Sequence, residues 1–262
     1  MHRFERHEWA VVLGGSSGFG LATAHVLAEH GMNLCLVHRD RRGAMARIEP
    51  EFEKLRGHGV EVRTFNTDAL AAEKRGEILT ALTDAMGEGG RVRVLLHSIA
   101  FGNLKLLVPE KKPDRNAAAA LAKKLGLDEE ALRAAADELF EAGEDGLAEI
   151  ASPPVYSDRW YLAADDFART IHSMGTSLID WVQDLHAQNL FAEDARVFGL
   201  TSEGNAVAWK GYAAVAAAKV ALESVARSIA VEYAPYGVRC NVLQPGVTHT
   251  PAQAAIPGDA HM

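Results

Sequence analysis

Residues 9–24 read WAVVLGGSSGFGLATA, and this stretch decides the fold. Trp9–Leu13 is a short apolar run closed by glycine, as a buried strand is. Gly14, Gly18 and Gly20 make a G-x-x-x-G-x-G turn, and LATAHVLAEH then continues as a helix to a stop at Gly31. Glycine permits a tight turn and lets backbone come close to an anion, whose charge is met by the N–H groups at the helix start. The order strand, glycine turn, helix predicts a pyrophosphate site built from Gly14, Ser16, Ser17, Gly18, Phe19 and Gly20. A glycine turn with no ligand is the plainer alternative.

Working outward, short β-branched runs alternate with helical segments, which predicts an α/β, Rossmann-type, doubly wound parallel sheet. Strands are expected near Trp9–Leu13, Asn33–Val37, Glu61–Phe65, Val92–His97, Arg196–Leu200 and Arg239–Leu243. The 262 residues, 48% hydrophobic, suffice for one large domain over 1–262. Residues 105–157 break the rhythm with two helical patterns, NAAAALAKKLG and DEEALRAAADELFEAG, closed by Pro153–Pro154. They are expected to form a helical insertion after the fourth strand, either a lid or pocket wall or a packing and oligomer element.

Composition excludes several classes. A net charge of −8 argues against nucleic acid or an anionic membrane as the main partner. The start, MHRFERHEWA, has no apolar core of a secretory signal, and no apolar run reaches the length of a membrane span. Two cysteines, Cys35 and Cys240, in strand-like segments fit a reducing cytoplasm. Scattered histidines without HExxH or CxxC predict no metal.

Two further clusters carry chemistry. The second strand ends in LCLVHRDRRG, where an acid would select NAD and an arginine a 2′-phosphate. Arg39, supported by Arg42, is the expected phosphate contact, which favours NADPH over NADH; Asp40 could instead turn toward the ribose. Near the other end, GYAAVAAAKVALESVARSIAVEY has no proline or internal glycine and predicts a long helix. At about 100° per residue, the step from Tyr212 to Lys219 falls within about 20° of two full turns, stacking a phenol and an ammonium on one face. An ammonium beside a phenol favours the phenolate and makes the tyrosine a usable proton donor.

With these residues placed, the chain from Glu8 to Pro251 resembles the short-chain dehydrogenase/reductase family. The resemblance rests on the Gly14/Gly18/Gly20 turn, Asp68 in FNTDAL, Ser202, the Tyr212/Lys219 helix, and Pro245–Gly246 with Thr250. It implies that Asp68 holds the adenine, and that Val247 and Thr250 cup the nicotinamide amide and a phosphate. It implies also that Ser98, Ile99 and Ala100 line the cofactor cleft, and that copies pair through the catalytic helix into a homodimer or homotetramer.

Within the family the Y-x6-K spacing and the segment LLHSIAFG at 95–102 resemble the enoyl-acyl-carrier-protein reductase branch; the commoner Y-x-x-x-K would need tyrosine where Val215 stands. Ser202, 17 residues before Lys219, stands where that branch carries a second tyrosine and carbonyl-reducing members carry serine. The expected catalytic set is Tyr212, Lys219 and Ser202. The expected reaction is NAD(P)H-dependent reduction of an enoyl thioester on acyl-carrier protein or coenzyme A. Carbonyl reduction of a ketone or 3-oxoacyl substrate is the alternative, and a non-catalytic NADPH-binding protein a third reading. His97, a strand-end histidine, and His172, near the family's water-holding asparagine, are minor candidates. The family continues past this point with a seventh strand, whereas the sequence stops at Met262. The expectation is an incomplete sequence, or a missing edge strand that leaves the sixth strand's backbone unpaired.

Overall fold

The structure, a computed structural model, describes residues 4–109, 116–144, 147, 150–152, 156 and 161–257. Six parallel strands form one sheet: β1 (Glu8–Leu13), β2 (Asn33–His38), β3 (Val62–Asn66), β4 (Arg91–His97), β5 (Phe191–Leu200) and β6 (Arg239–Leu243). Their order is β3-β2-β1-β4-β5-β6. The winding reverses between β1 and β4, so a crevice opens beyond the carboxyl ends of these two strands.

Alternation along the strand explains why the central runs β1 and β2 are apolar almost throughout. Trp9, Val11 and Leu13 join one core cluster with Leu95 and Val197, while Ala10 and Val12 join the other with Leu34 and Leu36. A strand buried on both faces has no solvent side to mark with polar residues. The first face is covered by α3 (Ala72–Met86), α7 (Ser177–Ala187) and α8 (Ala213–Glu232), through Ile78, Leu79, Leu178, Trp181 and Leu222. The second is covered by α1 (Gly18–Glu29) and α2 (Met45–Arg56), through Ala24, Ala28, Ile48, Phe52 and Leu55. Cys35 and Cys240 are both buried, and burial pushes each thiol up to about 12.

β5 starts five residues earlier than expected, because Phe191 pairs with Val92 before a register shift resumes the ladder at Arg196. The two helical patterns of the insertion become α4 (Ala117–Leu125) and α5 (Glu129–Glu141). Asn116 and Asp128 cap them by accepting from the backbone N–H groups of Ala119 and Ala131. Arg133 ties the pair together, donating to Asn116 Oδ1 and to the carbonyls of Ile150 and Ala151. The Pro153–Pro154 breaker lies outside the described residues. Further along, α6 (Ala164–Ile171) passes into α7 through a widened π turn at His172–Thr176. Among the described residues, no helix is long and apolar enough to cross a membrane. Among the described residues β3 and β6 are the outer strands, and Arg239, Asn241 and Leu243 are exposed along β6.

α8 packs closely on β5 because Gly199 has no side chain. A Cβ built there would lie 3.0 Å from the fully buried Leu222. Leu222→Ala is expected to cost about 2–5 kcal/mol of stability, read from urea unfolding with an unchanged m-value.

Candidate active site

A cleft of about 550 Å³ runs across the carboxyl ends of β1, β4 and β5. At its phosphate end, Gly14 takes φ +86°, and a Cβ there would fall on the carbonyl of Ser98. Only glycine lets the turn after β1 lie this close to the end of β4. Gly20 does not line the cleft; its missing side chain lets α1 pack against the Gly14 carbonyl. Ser17 is the N-cap of α1 in extended backbone, without a side-chain capping bond, and the first turn holds no acidic residue. The helix start is therefore a positively polarised end facing Ser16, Ser17, Gly18 and Phe19 in the cleft wall. Ser98, Ile99 and Ala100 line one side of the cleft, and Pro245, Gly246, Val247 and Thr250 also line it. These features fit a dinucleotide diphosphate.

At the far end, Arg39 and Asp68 are brought together. Arg39 Nη1 donates to Asp68 Oδ2 at 3.3 Å, and its guanidinium lies 4.3 Å from the centre of the Phe101 ring. Asp40 also lines the cleft, but its carboxylate is engaged by His38 Nδ1 at 2.9 Å. Arg42 departs from its expected supporting role. It opens the exposed 3₁₀ turn Arg42–Ala44 and is not among the lining residues, because the chain turns outward after Asp40. Phe101 was not legible as a partner of Arg39: the two are distant in sequence and meet only because β2 and β4 flank β1.

At the reactive end, Ser202 Oγ and Tyr212 OH lie 3.3 Å apart. Tyr212 differs from its expected place within the helix. It is the N-cap residue of α8, with φ −101° and ψ 1°, because Gly211 at φ +73° turns the chain immediately before it. Its carbonyl already accepts the first helical bond, from Ala216 at 2.8 Å, so the ring still projects from the start of the same helix as Lys219. A Cβ on Gly204 would fall on the Tyr212 ring, so the loop after β5 is flattened beneath the phenol. Lys219 is buried, and its ammonium donates to the Leu200 carbonyl at 2.7 Å. Burial lowers its pKa from 10.5 to about 8. An apolar wall of Leu104, Met174, Trp209, Val215 and Ile256 adjoins the pair. None of the described residues of α4 and α5 lines the cleft, so the expected pocket wall comes from elsewhere. From the insertion, Tyr156 reaches the chain before α8, donating to the Lys210 carbonyl at 3.3 Å.

Comparison with known proteins follows this division of the chain. A family model described as short chain dehydrogenase matches residues 8–113, and one described as Enoyl-(Acyl carrier protein) reductase matches residues 128–262. The chain belongs to the short-chain dehydrogenase/reductase family. Oxidoreductase UcpA of Escherichia coli K12 is 23% identical over 256 residues, covering 94% of this chain and 72% of that protein. The fold is shared with a putative D-mannonate oxidoreductase from Haemophilus influenza with bound NAD, at 14% identity and TM-score 0.69, covering 99% and 80% of the two chains. It is shared also with a short chain dehydrogenase from Burkholderia cenocepacia J2315 in complex with NADP, at 18% identity and TM-score 0.62, covering 97% and 78%.

In this short-chain dehydrogenase/reductase neither of the two minor histidine candidates lines the cleft. His172 is half-exposed on the π turn, 3.9 Å from Asp180, and does not line the cleft. His97 is buried at the end of β4, with Nε2 2.8 Å from Ser177 Oγ. Burial, and then repulsion from the Lys219 ammonium, lowers its pKa from 6.5 to about 3. The unfolded chain therefore takes up a proton below pH 6.5 that the folded protein refuses until about pH 3. This contribution to stability is complete above pH 6.5 and is lost as pH falls toward 3. His97→Gln should flatten the acid limb of unfolding free energy against pH by close to one proton, measured by urea titration across that window.

Proposed function

We propose that this short-chain reductase uses NADPH, or NADH less well, to reduce the double bond of an enoyl thioester. The observation that carries a reduction at an oxygen-bearing group is the pair of hydroxyls, Ser202 Oγ and Tyr212 OH, 3.3 Å apart beside an apolar wall, and the spacing of Tyr212 from Lys219 is what favours the enoyl form of it. At that separation one substrate oxygen can accept from both, while an acyl chain lies against Leu104, Met174, Trp209 and Ile256. The bound nicotinamide would supply the hydride. Ser202 and Tyr212 stabilise the negative charge that builds on the thioester oxygen, and Tyr212 is the group placed to pass it a proton. Lys219, charged at neutral pH with its pKa near 8, is set to hold the nicotinamide ribose hydroxyls beneath the tyrosine.

The spacing supports the enoyl reading: Tyr212 and Lys219 stand seven positions apart, the Y-x6-K pattern by which the chain resembles the enoyl-acyl-carrier-protein reductase branch. Carbonyl reduction is the second reading, and the contact between Ser202 and Tyr212 favours it, since carbonyl-reducing members hold their substrate oxygen with serine.

NADPH oxidation with a crotonyl and an acetoacetyl thioester separates the two. Turnover of the crotonyl thioester, falling about 10²–10⁴-fold in Tyr212→Phe, is the expected result. Turnover of acetoacetyl alone would establish carbonyl reduction. Cofactor binding without turnover of either would make the protein a dinucleotide binder. For the cofactor, Arg39→Ala should weaken NADPH binding by about 10–100-fold, as loss of a charge-assisted bond does, and leave NADH within about twofold, read by fluorescence titration.

A further inference from the structure

The loop after β5 carries Ser202, and its position is set from α8. Lys219 holds the Leu200 carbonyl, as described above. One turn further along the same helix stands Glu223. Thr201 Oγ1 donates to Glu223 Oε1 at 2.6 Å, and Asn205 Nδ2 donates to the same oxygen. Ser202 thus lies between two residues that share a single acceptor. Glu223 is half-buried and is not among the residues lining the cleft. Thr201 is 7% exposed, so without that acceptor a buried hydroxyl would be left unpaired and the loop would have to rearrange.

We propose that Glu223 is the positioning residue for Ser202. Its Oε1 clamps both flanks of the serine and so fixes the serine hydroxyl at bonding distance from Tyr212. The loop between Ser202 and Ala206 is only a short 3₁₀ turn, Glu203–Asn205, and has little regular structure of its own to hold the hydroxyl. Displacing a catalytic group by about 1 Å can cost on the order of 10²-fold in rate. The charge of Glu223 is not what the clamp requires. Both bonds end on one oxygen, which glutamine also offers, whereas alanine offers none.

The proposal rests on Ser202 and Tyr212 acting on substrate, and its test is a double-mutant cycle: Glu223→Gln, Glu223→Ala, Ser202→Ala and Ser202→Ala/Glu223→Ala. Turnover is measured on whichever of the crotonyl and acetoacetyl thioesters the wild type reduces, alongside NADPH affinity and the thermal midpoint. Glu223→Ala is expected to lower kcat about 10–100-fold with NADPH affinity within about twofold. Glu223→Gln should stay within about threefold of wild type, and the double variant within about threefold of Ser202→Ala, since a residue acting through the serine has nothing left to position. Equal losses from Glu223→Ala in both backgrounds would overturn the proposal, as would a glutamine variant as impaired as the alanine one. Should Glu223→Ala not fold, Asn205→Ala removes one of the two clamped donors. It should show the same coupling to Ser202→Ala at smaller amplitude, and additive losses would again overturn it. If the wild type reduces neither thioester, the functional reading fails, and hydrogen exchange over residues 201–206 then decides the clamp. Protection lost in Glu223→Ala and kept in Glu223→Gln supports it; protection unchanged in Glu223→Ala overturns it.

Discussion

The bond from the buried Lys219 ammonium to the Leu200 carbonyl is the constraint on which the site depends. A charged lysine in a dry setting must find an acceptor or give up its proton, and the last carbonyl of β5 supplies that acceptor to α8. That bond pins the end of a central strand to the helix that begins with Tyr212. With it come the loop that holds Ser202 and, through Gly204, the surface on which the phenol ring rests. The partial loss of basicity at Lys219 is the electrostatic cost of this arrangement, and a pKa near 8 leaves the group charged at neutral pH.

The other half of the cleft is organised by the switch in strand order. Because β1 sits between β2 and β4, the residues at the ends of those two strands face each other across it. Arg39 uses this to span from Asp68 to Phe101. An exposed ion pair of this kind contributes little to stability. Its interest lies in where it holds a guanidinium: at the mouth of a cleft whose opposite end is the uncapped start of α1.

The centre of the sheet was legible in the sequence because β1 and β2, buried on both faces, are written as nearly unbroken apolar runs, and the glycine turn because its backbone geometry excludes side chains. Gly14 and Gly18, both at positive φ, are cases where residue type follows from conformation. What was not legible depends on distances the sequence does not carry. Tyr212 and Lys219 are a helical pattern, but the cap at Tyr212 is imposed by Gly211 one residue earlier. Arg42 was read as support for Arg39 because nothing in a run of basic residues says where the chain turns outward. Glu223 gave no signal at all: its partners Thr201 and Asn205 lie 22 and 18 residues away, across a loop and a turn. The insertion's helices could be read from their helical patterns, while the absence of α4 and α5 from the cleft lining could not.

The two buried thiols give this fold an internal clock. Cys35 lies on β2 and Cys240 on β6, and burial raises both thiols well above the ordinary thiol range. Burial slows alkylation of both at neutral pH, so a gain in labelling rate at either position reports opening of that part of the structure. Opening confined to β6 would unmask Cys240 alone, whereas a cooperative opening would unmask the two together. The protein thus carries, without any engineering, a means of telling fraying from unfolding.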